Sequence, residues 1–365
     1  MFQKKLIRSS ETIMKKKLFT HYLLIKFAGG ILIIVFSFMS AFPVFAVTNL
    51  SVELETNPTS TPLAEPTKEP KEHIPEATPQ VTPEPIPEAM KPFSIVWISD
   101  TQTILSHGRT YLQDMTRYAE EHREELNAIC LLHTGDISEN LNWPSQRRLV
   151  LDAFEELKKL PVLAVAGNHD FGKTRSDYRP YTSLPVVKNI PDTQKYKDGR
   201  GVYSVFKSGD TEIVLVGLSY GTKGVKEAQK WARDIFLAHP NAVGIFFCHQ
   251  FVTKSGTILA DNQYITDIIA KCPNVRLVLC GHSRCIAHLE LSFKDDPVSD
   301  SVRLVNVICF DYQSEDPLTG SYMQFLTFDP ATRSISVISY SPSLDDFVCH
   351  DDEPDKESFV LQNAF

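Results

Sequence analysis

From residue 93 onward the chain alternates short apolar runs with segments of helical spacing. "FSIVWIS" (93–99) reads as a buried strand, and "RTYLQDMTRYAEEHREEL" (109–126) places apolar residues three and four apart, as a helix face requires. "AICLLHT" (128–134) predicts a second strand, "SQRRLVLDAFEELKKL" (145–160) a second helix, and "PVLAVAG" a third strand. "GVYSVFK" and "TEIVLVGL" flank Ser208, Gly209 and Asp210 as the arms of a hairpin. "KEAQKWARDIFLAH" predicts an amphipathic helix, "NAVGIFFC" a strand, "YITDIIAKC" a helix and "VRLVLC" a strand. The later runs "VRLVNVICF", "YMQFLTFD" and "SISVISYS" read as strands without intervening helices. Strands alternating with helices point to an α/β fold, and the late β segments point to mixed rather than purely parallel sheets.

The first 92 residues follow no such pattern. Lys4, Lys5, Arg8, Lys15, Lys16 and Lys17 precede an uncharged stretch from Phe27 to Val47. Two readings fit residues 1–46: a signal peptide cleaved after Ala46, or an uncleaved membrane anchor with its basic end in the cytoplasm. Either puts the rest of the chain outside the cytoplasm, secreted or tethered to the outer face of the membrane. Residues 47–92 hold ten of the 23 prolines, interleaved with Thr and Glu, and are expected to form an extended linker. The domain proper is expected over 93–345, followed by an acidic tail, 346–365.

Charge then narrows the partners. The net charge is −8, yet residues 1–46 carry seven basic residues and one acidic residue, so the remainder holds 30 basic and 44 acidic side chains. A body this acidic argues against nucleic acid as a partner and confines any membrane contact to the N-terminal segment. Seven cysteines without a CxxC pair make no disulfide framework; Cys130, Cys248, Cys280 and Cys309 lie inside apolar runs and are expected to be buried.

The chemistry lies at the strand ends. Asp100 and Gln102 follow the first strand, Asp136 the second, Asn168 and His169 the third, and His249 and His282 two later ones. Asn, Asp and Gly taken singly make turns. Five strand ends that each deliver a metal-competent or acid–base side chain instead point to one metal site with mixed oxygen and nitrogen ligands.

In this order and spacing, "DTQ" (100–102), "GDISE" (135–139), "GNHD" (167–170), "CHQ" (248–250) and "GHSR" (281–284) resemble the motifs of the calcineurin-like metallophosphoesterases. The resemblance implies a four-layer αββα sandwich with two mixed β-sheets and a metal-dependent phosphomonoesterase or phosphodiesterase. It implies one or two transition metal ions per chain, Mn, Fe or Zn, and attack by a metal-activated hydroxide. One implied site comprises Asp136, Asn168, His249 and His282. The other comprises Asp100, Gln102, the shared Asp136 and the position of Arg284. Gln102 and Arg284 stand where the family pattern has histidines, and guanidinium cannot ligate a metal. This site is therefore expected to be weakened, rebuilt or empty, with Arg284 offering charge to a phosphate and Asp311 or Gln313 as candidate neighbours. The "DTQ" form, together with "FDYQSEDPLTGSYMQFLTFDP", resembles a secreted bacterial branch of the family. His169 is the implied proton donor to the leaving oxygen, with Glu139 as its orienting carboxylate. The expected substrate is a small-molecule or envelope phosphoester. The alternative is a catalytically weak module that binds a phosphorylated ligand on the cell envelope.

Overall fold

The computed structural model describes residues 22–27, 30–35 and 91–365, apart from 109, 175, 296–301, 314–318 and 348–353. The segment read as leader or anchor and the proline-rich linker thus fall largely outside the described residues. Within residues 1–46, β1 (Tyr22–Phe27) and β2 (Gly30–Val35) pair antiparallel, with Phe27 opposite Gly30. No helix among the described residues is long and apolar enough to cross a membrane.

The remaining strands are β3 (Phe93–Ile98), β4 (Ala128–His133), β5 (Val162–Ala164), β6 (Gly201–Ser208) and β7 (Thr211–Leu218). They continue with β8 (Val243–Cys248), β9 (Val275–Cys280), β10 (Ile286–Phe293), β11 (Arg303–Phe310), β12 (Met323–Asp329), β13 (Ser334–Tyr340) and β14 (Ser358–Leu361). They form two six-stranded sheets of order β14-β13-β12-β3-β4-β5 and β10-β11-β9-β8-β7-β6. Both sheets are mixed. The run β3-β4-β5 is parallel while β12, β13 and β14 add antiparallel. In the other sheet β7, β8, β9 and β11 are parallel, with β6 and β10 as antiparallel edges.

Side-chain alternation builds the layers. On β3, Phe93, Ile95 and Trp97 point into the space between the sheets, where they meet Leu215, Ile245, Phe247 and Leu277. Val96 and Ile98 point the other way, onto Leu112, Met115, Val150 and Phe154 of the helices Tyr111–Glu121 and Pro144–Glu155. The second sheet repeats the device: Val214, Val216, Phe246 and Val278 pack on Ala232, Phe236, Ile265 and Ile269 of the helices Lys226–Ala238 and Gln263–Ala270. Strands buried on both faces read as continuous apolar runs, which is why these were legible. The result is the four-layer αββα sandwich.

Two features depart from the sequence reading. β10 was not foreseen, because as an edge strand it alternates half-buried and exposed positions instead of forming an apolar run. The stretch 346–365 is a tail only in part. Ser358–Leu361 adds an edge strand beside β13, and Leu361, Ala364 and Phe365 are buried between the sheets. The acidic run from Asp351 to Glu357 draws attention away from the apolar residues that follow it. All six described cysteines are free; Cys130, Cys248, Cys280 and Cys309 are buried as expected, and so is Cys272.

Candidate metal centre

Parallel strands send all their C-terminal ends to one edge of each sheet, and there ligand-binding loops gather. Asp100 follows β3, Asp136 follows β4, His249 follows β8 and His282 follows β9; Asn168 lies four residues beyond β5. Tyr220 after β7 and Asp311 after β11 obey the same rule.

The backbone at these ends is unusual. Asp100, Asp136, His282 and Arg284 adopt left-handed φ values of 52°, 52°, 71° and 47°. Such conformations cost of the order of 1–3 kcal/mol each and persist where the surroundings impose them. The glycines explain part of the imposition. A Cβ on Gly281 would lie 2.0 Å from Asp100 Oδ2, and one on Gly167 would lie 2.0 Å from Asp136 Oδ1. The carboxylates therefore sit directly against bare backbone.

His249 organises the centre. It is fully buried, and its Nδ1–H donates to the carbonyl of Thr134 at 3.0 Å, leaving Nε2 to face the cluster. Nε2 lies 2.9 Å from His282 Nδ1, 3.1 Å from Asn168 Oδ1 and 3.3 Å from Asp136 Oδ2. The ligand atoms of Asp136, His249 and His282 all fall within 4.8 Å of one another. Burial alone would lower the His249 imidazolium, but Asp136, Asp100 and Asp170 outweigh it and push its pKa up to about 10. Burial, with His249 beside it, lowers His282 to about 4. A proton on Nε2 thus occupies a point that two imidazoles, an amide oxygen and a carboxylate all address. A metal cation suits that donor set, and a ligating histidine commonly spends its other N–H on a backbone carbonyl.

The carboxylates are held from behind. Trp97 Nε1 donates to Thr134 Oγ1 at 3.0 Å, Thr134 Oγ1 to Ser99 Oγ at 2.6 Å, and Ser99 Oγ to Asp100 Oδ2 at 2.5 Å. The His282 N–H also donates to Asp100, at 3.0 Å from Oδ2. Burial raises the Asp100 carboxyl well above its ordinary range, and Asp311 and Asp136 add to the rise. At Asp136 burial acts in the same sense, but His249 and the His169 N–H outweigh it and hold the group ionised. A cation held by Asp100 and Asp136 would relieve this crowding.

Gln102 supports that placement. Its Nε2 donates to Asp136 Oδ2 at 3.1 Å, while its Oε1 is buried without a hydrogen-bond partner. An orphaned buried carbonyl oxygen costs free energy unless something binds it. Among the described residues only Asp136, His249 and His282 bring their ligand atoms within 4.8 Å of one another; were a second cation bound, Asp100, Asp136 and Gln102 oxygens would hold it, a harder donor set than the imidazole-rich first site. Arg284 does not complete it. Its side chain is exposed, and its Nε donates to Gln313 Oε1 at 3.2 Å. Its backbone N–H is bound by Asp311 Oδ2 at 2.6 Å. Asp311 is buried, and burial pushes its carboxyl up to about 6 against the backbone hydrogen bonds of Arg284 and Gln313.

Beside the cluster, His169 presents Nδ1 to Glu139 Oε1 at 3.1 Å and Nε2 toward Asp136 Oδ2 at 3.9 Å. Both loops are fixed by a residue whose role the sequence did not reveal. The Asp170 carboxylate accepts the N–H groups of Gly167 at 2.8 Å, Ile137 at 3.0 Å and Ser138 at 3.3 Å. It locks the loop after β5 onto the loop after β4. Its place in "GNHD" was the only available signal. His133 packs behind the site, accepting the Gly135 N–H at Nδ1 and meeting Thr101 Oγ1 at Nε2. Trp143, half exposed, precedes Pro144 at the start of its helix.

Comparison with known proteins identifies the family and the fold. The family model for calcineurin-like phosphoesterases matches residues 93–284. The uncharacterized protein YvnB of Bacillus subtilis (strain 168) is 27% identical over 278 residues, covering 74% of this chain and 21% of that protein. The chain thus spans about a fifth of the length of the curated relative it matches. A dimetal phosphatase from Danio rerio superposes with a TM-score of 0.50 at 11% identity, over 74% of this chain and 99% of that one. At that identity the likeness speaks for the fold alone.

Proposed function

The chain belongs to the calcineurin-like phosphoesterase family, and on that premise we propose that it is an exported metal-dependent phosphoesterase. The observation that carries the reading is the meeting of Asp136, Asn168, His249 and His282 at one point beside the His169–Glu139 pair. Metal ions held there supply Lewis acidity toward phosphoryl oxygens and lower the pKa of coordinated water.

The protein's own groups do the rest. Asp136 and Asp100 supply the negative charge that retains the cations, and Gln102 Oε1 adds a neutral oxygen. Asn168, anchored at His249, sets the position of a phosphoryl oxygen. Glu139 accepts the Nδ1–H of His169, so Nε2 is the atom that releases a proton to the leaving oxygen, which departs as the alcohol. The Thr134–Ser99 chain keeps Asp100 in one orientation throughout. Arg284, held by Gln313, stands at the rim and reaches substrate phosphate only by leaving that contact. Export rests on the basic N-terminus followed by the apolar stretch to Val47.

The test is turnover by the full chain loaded with Mn²⁺, on p-nitrophenyl phosphate beside bis(p-nitrophenyl) phosphate. Turnover of either, abolished by chelation, supports the reading. A folded, metal-bound protein that turns over neither but binds phosphate supports the binding-module alternative, for which the Gln102 and Arg284 departures speak.

A further inference from the structure

We propose that the crevice between the loops after β7 and β8 receives the alcohol part of the phosphoester, and that this alcohol is a single sugar ring. The proposal rests on the phosphoesterase reading above. β7 and β8 are parallel neighbours with Leu218 opposite Cys248, so their loops leave the sheet side by side. The crevice between them holds about 230 Å³ and is lined by Tyr220, Gln250 and Tyr264, with the fully buried His249 behind them. The Tyr220 ring lies 6.0 Å from the ring of His249 and 5.9 Å from that of His282. Whatever fills the crevice therefore lies one ring away from the cluster that addresses phosphorus.

Size and lining select the occupant. Pockets for drug-sized ligands run to roughly 300–1,000 Å³, so a crevice below that range takes one ring and not a nucleotide. The tyrosine rings offer flat apolar faces to the C–H face of a pyranose. The Gln250 backbone carbonyl already accepts Asn262 Nδ2 at 2.9 Å, while its side-chain amide has no hydrogen bond to any other described residue. At the rim Lys223 Nζ meets Asp261 Oδ1 at 2.7 Å, one partner from each loop, with side chains 60% and 71% exposed. An exposed pair of this kind is worth only about 0–1 kcal/mol to the fold, so it opens readily around a ligand. Its carboxylate accepts and its ammonium donates, which is the complement of neighbouring sugar hydroxyls. A lipid tail finds no such match at a charged rim.

The experiment uses the full chain loaded with Mn²⁺. It compares glucose 6-phosphate, adenosine 5′-monophosphate, glycerol 3-phosphate and p-nitrophenyl phosphate, for the native protein and for Asp261→Ala and Lys223→Ala. The expected result is a kcat/KM for glucose 6-phosphate at least tenfold above that for the nucleotide. The nucleotide's ribose carries hydroxyls of its own, so this difference reads the added base against a crevice of about 230 Å³; p-nitrophenyl phosphate is the arm that lacks hydroxyls, and a site built to bond them discriminates against it. Each variant is expected to raise KM for glucose 6-phosphate at least fivefold, more than it lowers kcat, with a matching loss of affinity in calorimetry. Preference for the nucleotide or for glycerol 3-phosphate, or a KM within twofold of native in both variants, overturns the sugar assignment while leaving the phosphoesterase reading intact. Failure to hydrolyse any of the four, with metal bound, overturns both, and the p-nitrophenyl phosphate arm tells the two failures apart.

Discussion

Nδ1 of His169 lies 3.1 Å from Oε1 of Glu139, so the loop after β4 orients the imidazole carried by the loop after β5. The pair couples position to proton transfer. His169→Asn is expected to lower kcat by about 10²–10⁴-fold, the usual worth of a placed general acid. Glu139→Ala removes a hydrogen bond to a charged group, about 1.5–3 kcal/mol, and is expected to cost roughly 10- to 100-fold. Steady-state kinetics with metal content assayed on the same samples checks both. Full metal content with native kcat in His169→Asn removes that residue from the proton-donor role.

Gln102 Oε1 is buried without a partner, while its Nε2 donates to Asp136 Oδ2. Gln102→Ala is therefore expected to weaken the second metal ion selectively, taking measured stoichiometry toward one per chain. His249→Ala is expected to remove the ion at the imidazole-rich site instead. Elemental analysis after dialysis reads both. Equal metal content in native protein and Gln102→Ala assigns that amide no ligand role.

Asp170 binds three backbone N–H groups in two loops. Asp170→Ala leaves them buried and unpaired, at a cost of about 2–5 kcal/mol. The expected outcome is a lower Tm together with weaker metal binding, because Asp136 and Asn168 lose their common anchor. Thermal melts of metal-free and metal-loaded protein separate the two effects. A Tm equal to native in the metal-free protein contradicts the anchoring role.

Glu120 supplies a pH test away from the centre. Its carboxylate accepts the N–H groups of Lys158, Lys159 and Leu160, at 3.2, 3.2 and 3.0 Å. Burial alone raises its pKa, but these three bonds and Arg123 outweigh it and hold the group below its ordinary value. A depressed folded pKa stabilises the fold above the unfolded value, and that stability is lost as pH falls through the folded one. Glu120→Gln is expected to cost about 1–2 kcal/mol at pH 7. The difference from native is expected to vanish in acid, as denaturant melts across pH show. A difference independent of pH assigns the effect to packing rather than to charge.

The strand ends were legible because β3, β4, β8 and β9 are buried on both faces, and an unbroken apolar run announces where it stops. Asp100, Asp136, His249 and His282 follow directly from that rule, and Asn168 and His169 complete the turn after β5. The same rule covers Asp311, just beyond β11 and already a candidate neighbour of the second site, and Tyr220, just beyond β7, which carries no motif that singles it out. β10 escaped because an edge strand need not be apolar.

Residue order and type by themselves determined which side chains could reach the centre, since chain direction in a parallel sheet dictates which end each loop leaves. They also determined that Arg284 could not be a ligand, because guanidinium has no free lone pair. What the tertiary structure decided is where such groups turn once they arrive. Arg284 bends to Gln313 because Asp311, on a neighbouring strand, captures its backbone. Glu139 meets His169 because Asp170 ties their loops together. The C-terminal residues join the core because β13 leaves an open edge. Each of these depends on contacts between segments distant in sequence, and local composition carries no record of them.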